Sequence, residues 1–136
     1  MPKIIFVVPT VVANKAWGIL SEEGSILPPL GIAILASVAR NKGVETEIMD
    51  FIAEGISFDA AVKKTINEHP DYVGITSTTD MVLSATKFAE AIKRLDSRIT
   101  VLLGGPHITA AGIETMEKFS CFDFGFIGES EETLKE

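Results

Sequence analysis

Leu102-Leu103-Gly104-Gly105-Pro106-His107 reads as the end of a strand that passes through two glycines into a helix opened by proline. Two adjacent glycines leave main chain without side chains, so a flat or bulky ligand can lie directly against it. The same pair also serves as an ordinary tight turn, and the two readings stand side by side at this point. What gives the stretch weight is its place in an alternation of strands and helices. In such a protein the carboxyl ends of the strands are where ligands bind.

Working outward, Ile4-Ile5-Phe6-Val7-Val8 is a continuous apolar, β-branched run, as expected for a central strand covered on both faces. Further strands are expected over Val44 to Asp50, Tyr72 to Thr76, Ile99 to Leu103 and Phe124 to Ile127. Helical patterns separate them. Pro28-Pro29 opens the first and Gly43 closes it. Ser57 is placed to cap the second, which carries Phe58, Val62 and Ile66 on one face. The third shows Ala85, Phe88, Ala89, Ile92 and Leu95 at helical spacing, and the fourth Ala110, Ile113, Met116 and Phe119. Repeated strand–helix alternation predicts an α/β fold with a parallel sheet. Five strands point to a flavodoxin-like (Rossmann-like) three-layer sandwich with order 2-1-3-4-5 and its switch point between strands 1 and 3.

Length and composition limit what such a chain does. Its 136 residues suit one domain with a real core. An apolar content of 46%, a mean hydropathy of +0.30 and 23% charged residues argue against disorder. Nineteen acidic residues outweigh twelve basic ones for a net charge of −7, so a nucleic-acid partner is not expected. The single cysteine, Cys121, supplies neither a disulfide framework nor a multi-thiolate cluster. No signal-peptide pattern and no run of about 20 apolar residues are present, which predicts a cytoplasmic protein without a membrane span.

One connection is too long for a compact domain. Residues 10–27, between the first strand and first helix, include Val11, Val12, Trp17, Ile19, Leu20, Ile26 and Leu27. Such a segment at the ligand edge forms a lid, a ligand wall or a docking surface, or folds over the domain's own core with Trp17 as its plug. The first helix, Leu30 to Ala36, is apolar nearly all round, which leaves an outer face for a partner.

The chemistry-bearing positions are then the strand ends: Pro9-Thr10, Ser77-Thr78-Thr79-Asp80, Gly104-Gly105-Pro106-His107 and Gly128-Glu129-Ser130-Glu131-Glu132. Three hydroxyls leading into a helix start favour a polar or anionic ligand, and also serve as N-caps. The acidic run suits a solvated helix start. Clustered acids, a glycine-rich phosphate loop and G-x-G-x-x-G are all absent after the first strand, and no P-loop occurs. His69, before Pro70, is expected at the surface of a helix end. No Ser/His/Asp constellation presents itself.

Four segments together resemble the cobalamin-binding domain found in front of radical S-adenosylmethionine enzymes. They are Pro28-Pro29-Leu30-Gly31-Ile32-Ala33-Ile34-Leu35-Ala36, Val73-Gly74-Ile75-Thr76-Ser77, Leu103-Gly104-Gly105-Pro106-His107 and Gly128-Glu129-Ser130-Glu131-Glu132-Thr133-Leu134. The resemblance covers essentially the whole chain, in order. It implies a corrinoid across the carboxyl edge, with Ser77 and Thr78 on the corrinoid or its nucleotide tail. Gly104 and Gly105 would lie against the ligand, with Gly128 and Glu129 on the far side of the tail's groove. Thr10, Thr79 and Pro106 complete the implied cofactor-binding set, and the loop over residues 10–27 would cover the ring. Replacing both Gly104 and Gly105 by valine is expected to abolish binding without unfolding the sheet. The D-x-H-x-x-G motif of mutases and methionine synthase, which supplies a histidine to cobalt, is missing after Val8, leaving the lower axial ligand open. Ser130 stands where the family's usual G-E-G-E ending has a second glycine.

The resemblance further implies a partner barrel that holds a [4Fe–4S] cluster and S-adenosylmethionine through C-x-x-x-C-x-x-C, three thiolates that Cys121 cannot provide. The chain is therefore expected to be residues 1–136 of a longer protein, the missing C-terminal radical domain lying beyond it, and not an enzyme by itself. The longer protein is expected to be a methyltransferase acting on an unactivated carbon or phosphorus. A module that has lost its ligand and serves in packing or protein interaction is the alternative.

Overall fold

The computed structural model describes residues 2–9, 30–77 and 81–126. Its elements alternate as the sequence pattern demands. In chain order they are β1 (Lys3–Val8), α1 (Leu30–Asn41), β2 (Glu45–Asp50), α2 (Phe51–Glu54), α3 (Phe58–Asn67), β3 (Tyr72–Thr76), α4 (Val82–Leu95), β4 (Thr100–Gly104), α5 (Pro106–Lys118) and β5 (Phe124–Gly125). The strands form one all-parallel sheet in the order β2-β1-β3-β4-β5, the flavodoxin-like arrangement. The sequence did not announce α2, a single turn directly after β2. The expected residues 10–27 loop and the Pro28-Pro29 helix start lie outside the described residues.

Strand alternation sorts the core into two layers. Ile5 and Val7 on β1, Met49 on β2, Val73 and Ile75 on β3, and Val101 and Leu103 on β4 are buried on one face. They meet Ala61 and Val62 of α3, Phe88, Ala89 and Ile92 of α4, and Ile108 of α5. The opposite face carries Ile4, Phe6 and Leu102 under Ile32, Ala36 and Ala39 of α1. Because β1 is buried on both faces, its sequence shows no polar alternation. Phe88 is fully enclosed, with Phe51 and Phe58 edge-on to it at centroid distances of 5.4 and 6.2 Å.

Local signals account for the helix ends. The Ser57 hydroxyl accepts from the Ala60 N–H at 3.2 Å, capping α3 as expected. Gly43, at φ +82°, follows α1, and the Val44 N–H reaches back to the Ala39 carbonyl, closing the helix as the sequence predicts. The equivalent position after α3 is His69, exposed and at φ +48°, where glycine is the unstrained choice.

Two helix faces differ from the sequence reading. Leu95 is 61% exposed, so α4 buries Ala85, Phe88, Ala89 and Ile92 without it. On α5, Ile113 is 75% exposed; Ile108 and Thr115 are buried and Met116 packs against the core. The helical phase there is set by Ile108, which the Ala110/Ile113 pattern passed over.

β5 is short, and a side chain helps to fasten it. The Asp123 carboxylate accepts from the Val101 N–H at 2.8 Å and pairs with Lys93 Nζ at 2.6 Å, while Lys93 also donates to the Ile99 carbonyl. Backbone bonds Asp123 N–H to Val101 and Phe126 N–H to Leu103 flank this contact. Asp123→Ala should therefore destabilise the domain by about 1–3 kcal/mol, read from urea denaturation, by leaving the Val101 N–H without its acceptor and the Lys93 ammonium without its carboxylate.

Candidate functional site

The order β2-β1-β3-β4-β5 puts β1 and β3 side by side, and the chain leaves them toward opposite ends of the sheet. That divergence opens the crevice in which open α/β sheets hold ligands. Around it, Pro9 and Ser77 are fully buried, and Thr76 is partly exposed. Register pairs Thr76 with Gly104, so both belong to the face that carries Ile4, Phe6 and Leu102.

The two glycines there differ. Gly105 adopts φ +100°, ψ −177°, a conformation reserved for glycine. A Cβ on it would stand 2.8 Å from the Ser77 nitrogen, the Ser77 carbonyl oxygen and Thr76 Oγ1. The end of β4 is thus pressed onto the end of β3, and the Ser77 N–H donates to the Gly104 carbonyl at 3.0 Å across the same junction. Gly104 has neither constraint: its φ is ordinary, and among the described residues a Cβ would meet nothing within 4 Å. Gly105 holds the edge closed, and Gly104 before it is uncovered among the described residues. Pro106 then opens α5 at its first position, where its lack of an N–H costs nothing.

The expectation that valine at both glycines spares the sheet is therefore corrected. Position 105 has no room beside Ser77, whose obstructing atoms are main chain. Sequence reading carried Thr76 and Gly74 only inside the Val73 to Ser77 segment and gave them no role of their own: the Thr76 hydroxyl borders Gly105, and the Phe6 ring lies so closely over Gly74 that a Cβ would be 3.0 Å from Phe6 Cδ1. Register gave the signal for both, since Gly74 and Thr76 alternate onto the face shared with Gly104. Of the other expected cofactor-binding residues, Thr10, Thr78, Thr79, Gly128 and Glu129 lie outside the described residues. The His107 side chain does too.

Charge is concentrated elsewhere. At the amino edge, Lys3 sits between Glu45 and Glu68, and Arg98 donates to the two oxygens of Asp96 from Nε and Nη2. The Lys3 ammonium holds the Glu68 carboxyl below its ordinary range, and Arg98 does the same for Asp96. On the flank, the hydrogen bonds of Glu47 and Glu54 raise Lys64. Burial pushes the Cys121 thiol up to about 11, which keeps it protonated and unreactive at neutral pH. A concavity of about 440 Å³ at the amino edge includes His69, Asp71, Tyr72, Asp96 and Arg98. Its Asp96 and Arg98 already neutralise each other, and its Asp71 accepts from the Lys3 N–H. Among the described residues no three His, Cys, Asp or Glu side chains cluster as a metal site, and no helix is long and apolar enough to cross a membrane.

Among the described residues, the carboxyl edge at β3 and β4 is thus shaped by backbone rather than by ionisable groups. The sequence pattern of the B12 binding domain matches residues 16–136. The chain belongs to the B12-binding domain family. Its relatives include an uncharacterized methyltransferase, PH0819, of Pyrococcus horikoshii, 38% identical over 113 residues, which span 83% of this chain and 24% of that protein. The anaerobic magnesium-protoporphyrin IX monomethyl ester cyclase of Rubrivivax gelatinosus is 27% identical over 108 residues, 79% of this chain and 20% of the cyclase. The chain thus spans a quarter or less of the length of these relatives. Among solved structures, the cobalamin-dependent S-adenosylmethionine radical enzyme OxsB, with aqua-cobalamin and S-adenosylmethionine bound, superposes with a TM-score of 0.79. It is 15% identical, and the match covers 99% of this chain and 18% of OxsB. A CheY-like protein (tadZ) of Pseudomonas aeruginosa shares the fold at a TM-score of 0.59 and 12% identity, covering 95% of this chain and 92% of tadZ.

For this member of the B12-binding domain family the crowding at Gly105 has a direct consequence. Gly105→Ala should lower stability by about 1–3 kcal/mol, through a strained φ and a forced separation of the β3 and β4 ends. Thermal unfolding followed by far-ultraviolet circular dichroism reads that loss.

Proposed function

We propose that the chain binds cobalamin across the carboxyl edge of β1, β3 and β4, as the N-terminal module of a radical S-adenosylmethionine enzyme, a methyltransferase. The observation that carries this reading is the main chain at Gly104, open among the described residues, at the carboxyl edge of a chain of the B12-binding family. A corrinoid is a large, nearly flat ligand, and it fits a surface from which side chains are missing better than one built of charged groups. The methyltransferase relative and the cobalamin-bound OxsB of the same fold support the same assignment.

In this reading Gly104, Gly105 and Pro106 form one wall, Ser77, Thr78 and Thr79 the adjoining strand end, Thr10 the end of β1, and Gly128 and Glu129 the far side. When bound, the corrinoid supplies cobalt-centred transfer of a methyl group. The chain's own part is to bind, orient and desolvate. Apolar side chains beneath the edge, among them Phe6 and Leu102, exclude water from the sheet face. The [4Fe–4S] cluster and S-adenosylmethionine belong to a partner barrel of the longer protein, because Cys121 is one thiol, half-buried and held protonated.

A second reading rests on α1. Ile34 is 51% exposed, Ala33 beside it is exposed and Val38, one turn on, is half-buried. Together they give the helix an apolar outer side suited to packing against another domain, interrupted by the exposed Ser37 and ending at the exposed Arg40 and Asn41. Titration of the folded domain, and of the full-length protein, with hydroxocobalamin separates the two. Binding predicts a change in the visible spectrum and cobalamin that co-elutes on gel filtration. A folded protein with neither supports the packing module.

A further inference from the structure

We propose that Asp123, at the amino edge, is a positioning residue for the ligand edge: its carboxylate, clamped by Lys93, sets where the carboxyl end of β5 lies. The inference rests on the cobalamin reading and adds a residue that acts on the site from the opposite end of a strand. β5 is the most weakly paired strand of the sheet. β1 and β2 pair over six residues and β3 and β4 over five, whereas β4 and β5 share two, Leu102 with Phe124 and Leu103 with Gly125. As the last strand in the order, β5 has one neighbour. Its own side chains give it little hold, since Phe124 is 59% exposed and Gly125 has none. Asp123 supplies what this short ladder lacks. Its Oδ2 accepts both the Val101 N–H at 2.8 Å and Lys93 Nζ at 2.6 Å. Lys93 stands in the last turn of α4 and also donates to the Ile99 carbonyl, just before β4, at 2.7 Å. The carboxylate therefore ties the start of β5 to β4 and to α4 at once. Past the two paired residues, the Phe126 N–H donates to the Leu103 carbonyl at 2.9 Å, one residue before Gly104. A strand this short passes a shift at its start on to that end. From there the chain runs to Gly128 and Glu129, which the cobalamin reading puts on the far side of the groove.

Hydroxocobalamin titration and amide hydrogen exchange, measured on the same folded variants, test this. Asp123→Ala should bind cobalamin about three- to tenfold more weakly than the parent, because only the fraction with β5 in place is competent. The Phe126 amide should lose most of its protection in the same variant. Asp123→Asn keeps an oxygen for the Val101 N–H and should recover most of both. Val62→Ala, which removes buried volume on α3, should lower the melting temperature and leave affinity unchanged, so that lost stability alone does not mimic the effect. If Asp123→Ala does not fold, Lys93→Met carries the test, with both changes in the same direction. It frees the carboxylate from α4 and spares the bond to Val101. Parent-like affinity in the folded Asp123→Ala or Lys93→Met domain overturns the assignment. Weaker binding with Phe126 protected as in the parent overturns it too, as does an equal loss of affinity in Asp123→Asn or in Val62→Ala. A parent protein that binds no cobalamin overturns the cobalamin reading itself, and the parent titration alone identifies that outcome.

Discussion

The contact between Gly105 and the main chain of Ser77 is the constraint on which the edge of this sheet depends. Parallel strands are joined by crossovers of many residues, so nothing local forces the ends of β3 and β4 together. The ladder does so as far as Thr76 and Gly104, and the close approach at Gly105 extends it one step beyond the last strand residues. A positive-φ glycine then turns the chain into α5 without lifting it from its neighbour. The result is a tightly closed junction of β3 and β4, next to the point between β1 and β3 where the strand order reverses, with Gly104 beside it uncovered among the described residues.

The two edges of the sheet are built on different physics. The amino edge is charged: Lys3, Glu45 and Glu68 form one cluster, and Asp96 with Arg98 another. These pairs are largely solvated and contribute little net stability. They engage ionic groups with one another at an edge that binds nothing in this reading. The carboxyl edge holds buried Pro9 and Ser77, partly exposed Thr76 and the bare Gly104. A large, nearly flat ligand replaces water there and, among the described residues, displaces no buried ion pair. Specificity in such a site comes from shape, and main chain sets shape more rigidly than long side chains do.

Much of the fold was legible because its signals are local. Ile4 to Val8 is β-branched and buried on both faces, Ser57 caps α3, and Gly43 ends α1 in the left-handed region. Strand number and alternation then led to the order 2-1-3-4-5. The misses depend on packing at a distance. α5 turns on Ile108, fully buried beneath β5, while Ile113 faces outward, and helical spacing alone does not reveal that phase. β5 owes part of its anchorage to Asp123, whose partners Val101 and Lys93 are 22 and 30 residues away in sequence. The site was legible as a glycine pair, yet its division was not, since crowding at Gly105 comes from a strand end 28 residues earlier. Gly74 has the same origin, in the ring of Phe6 on the neighbouring strand.

The central claim is a location, and amide chemical-shift mapping tests it most directly. Hydroxocobalamin holds diamagnetic low-spin cobalt, so a nitrogen-15-labelled domain can be followed residue by residue through a titration. Binding at the carboxyl edge predicts that the amides of Thr76, Ser77, Gly104 and Gly105 move, while those of Lys3, Glu68, Asp71 and Arg98 stay in place. Shifts confined to the amino edge, or spread without a focus, would contradict it.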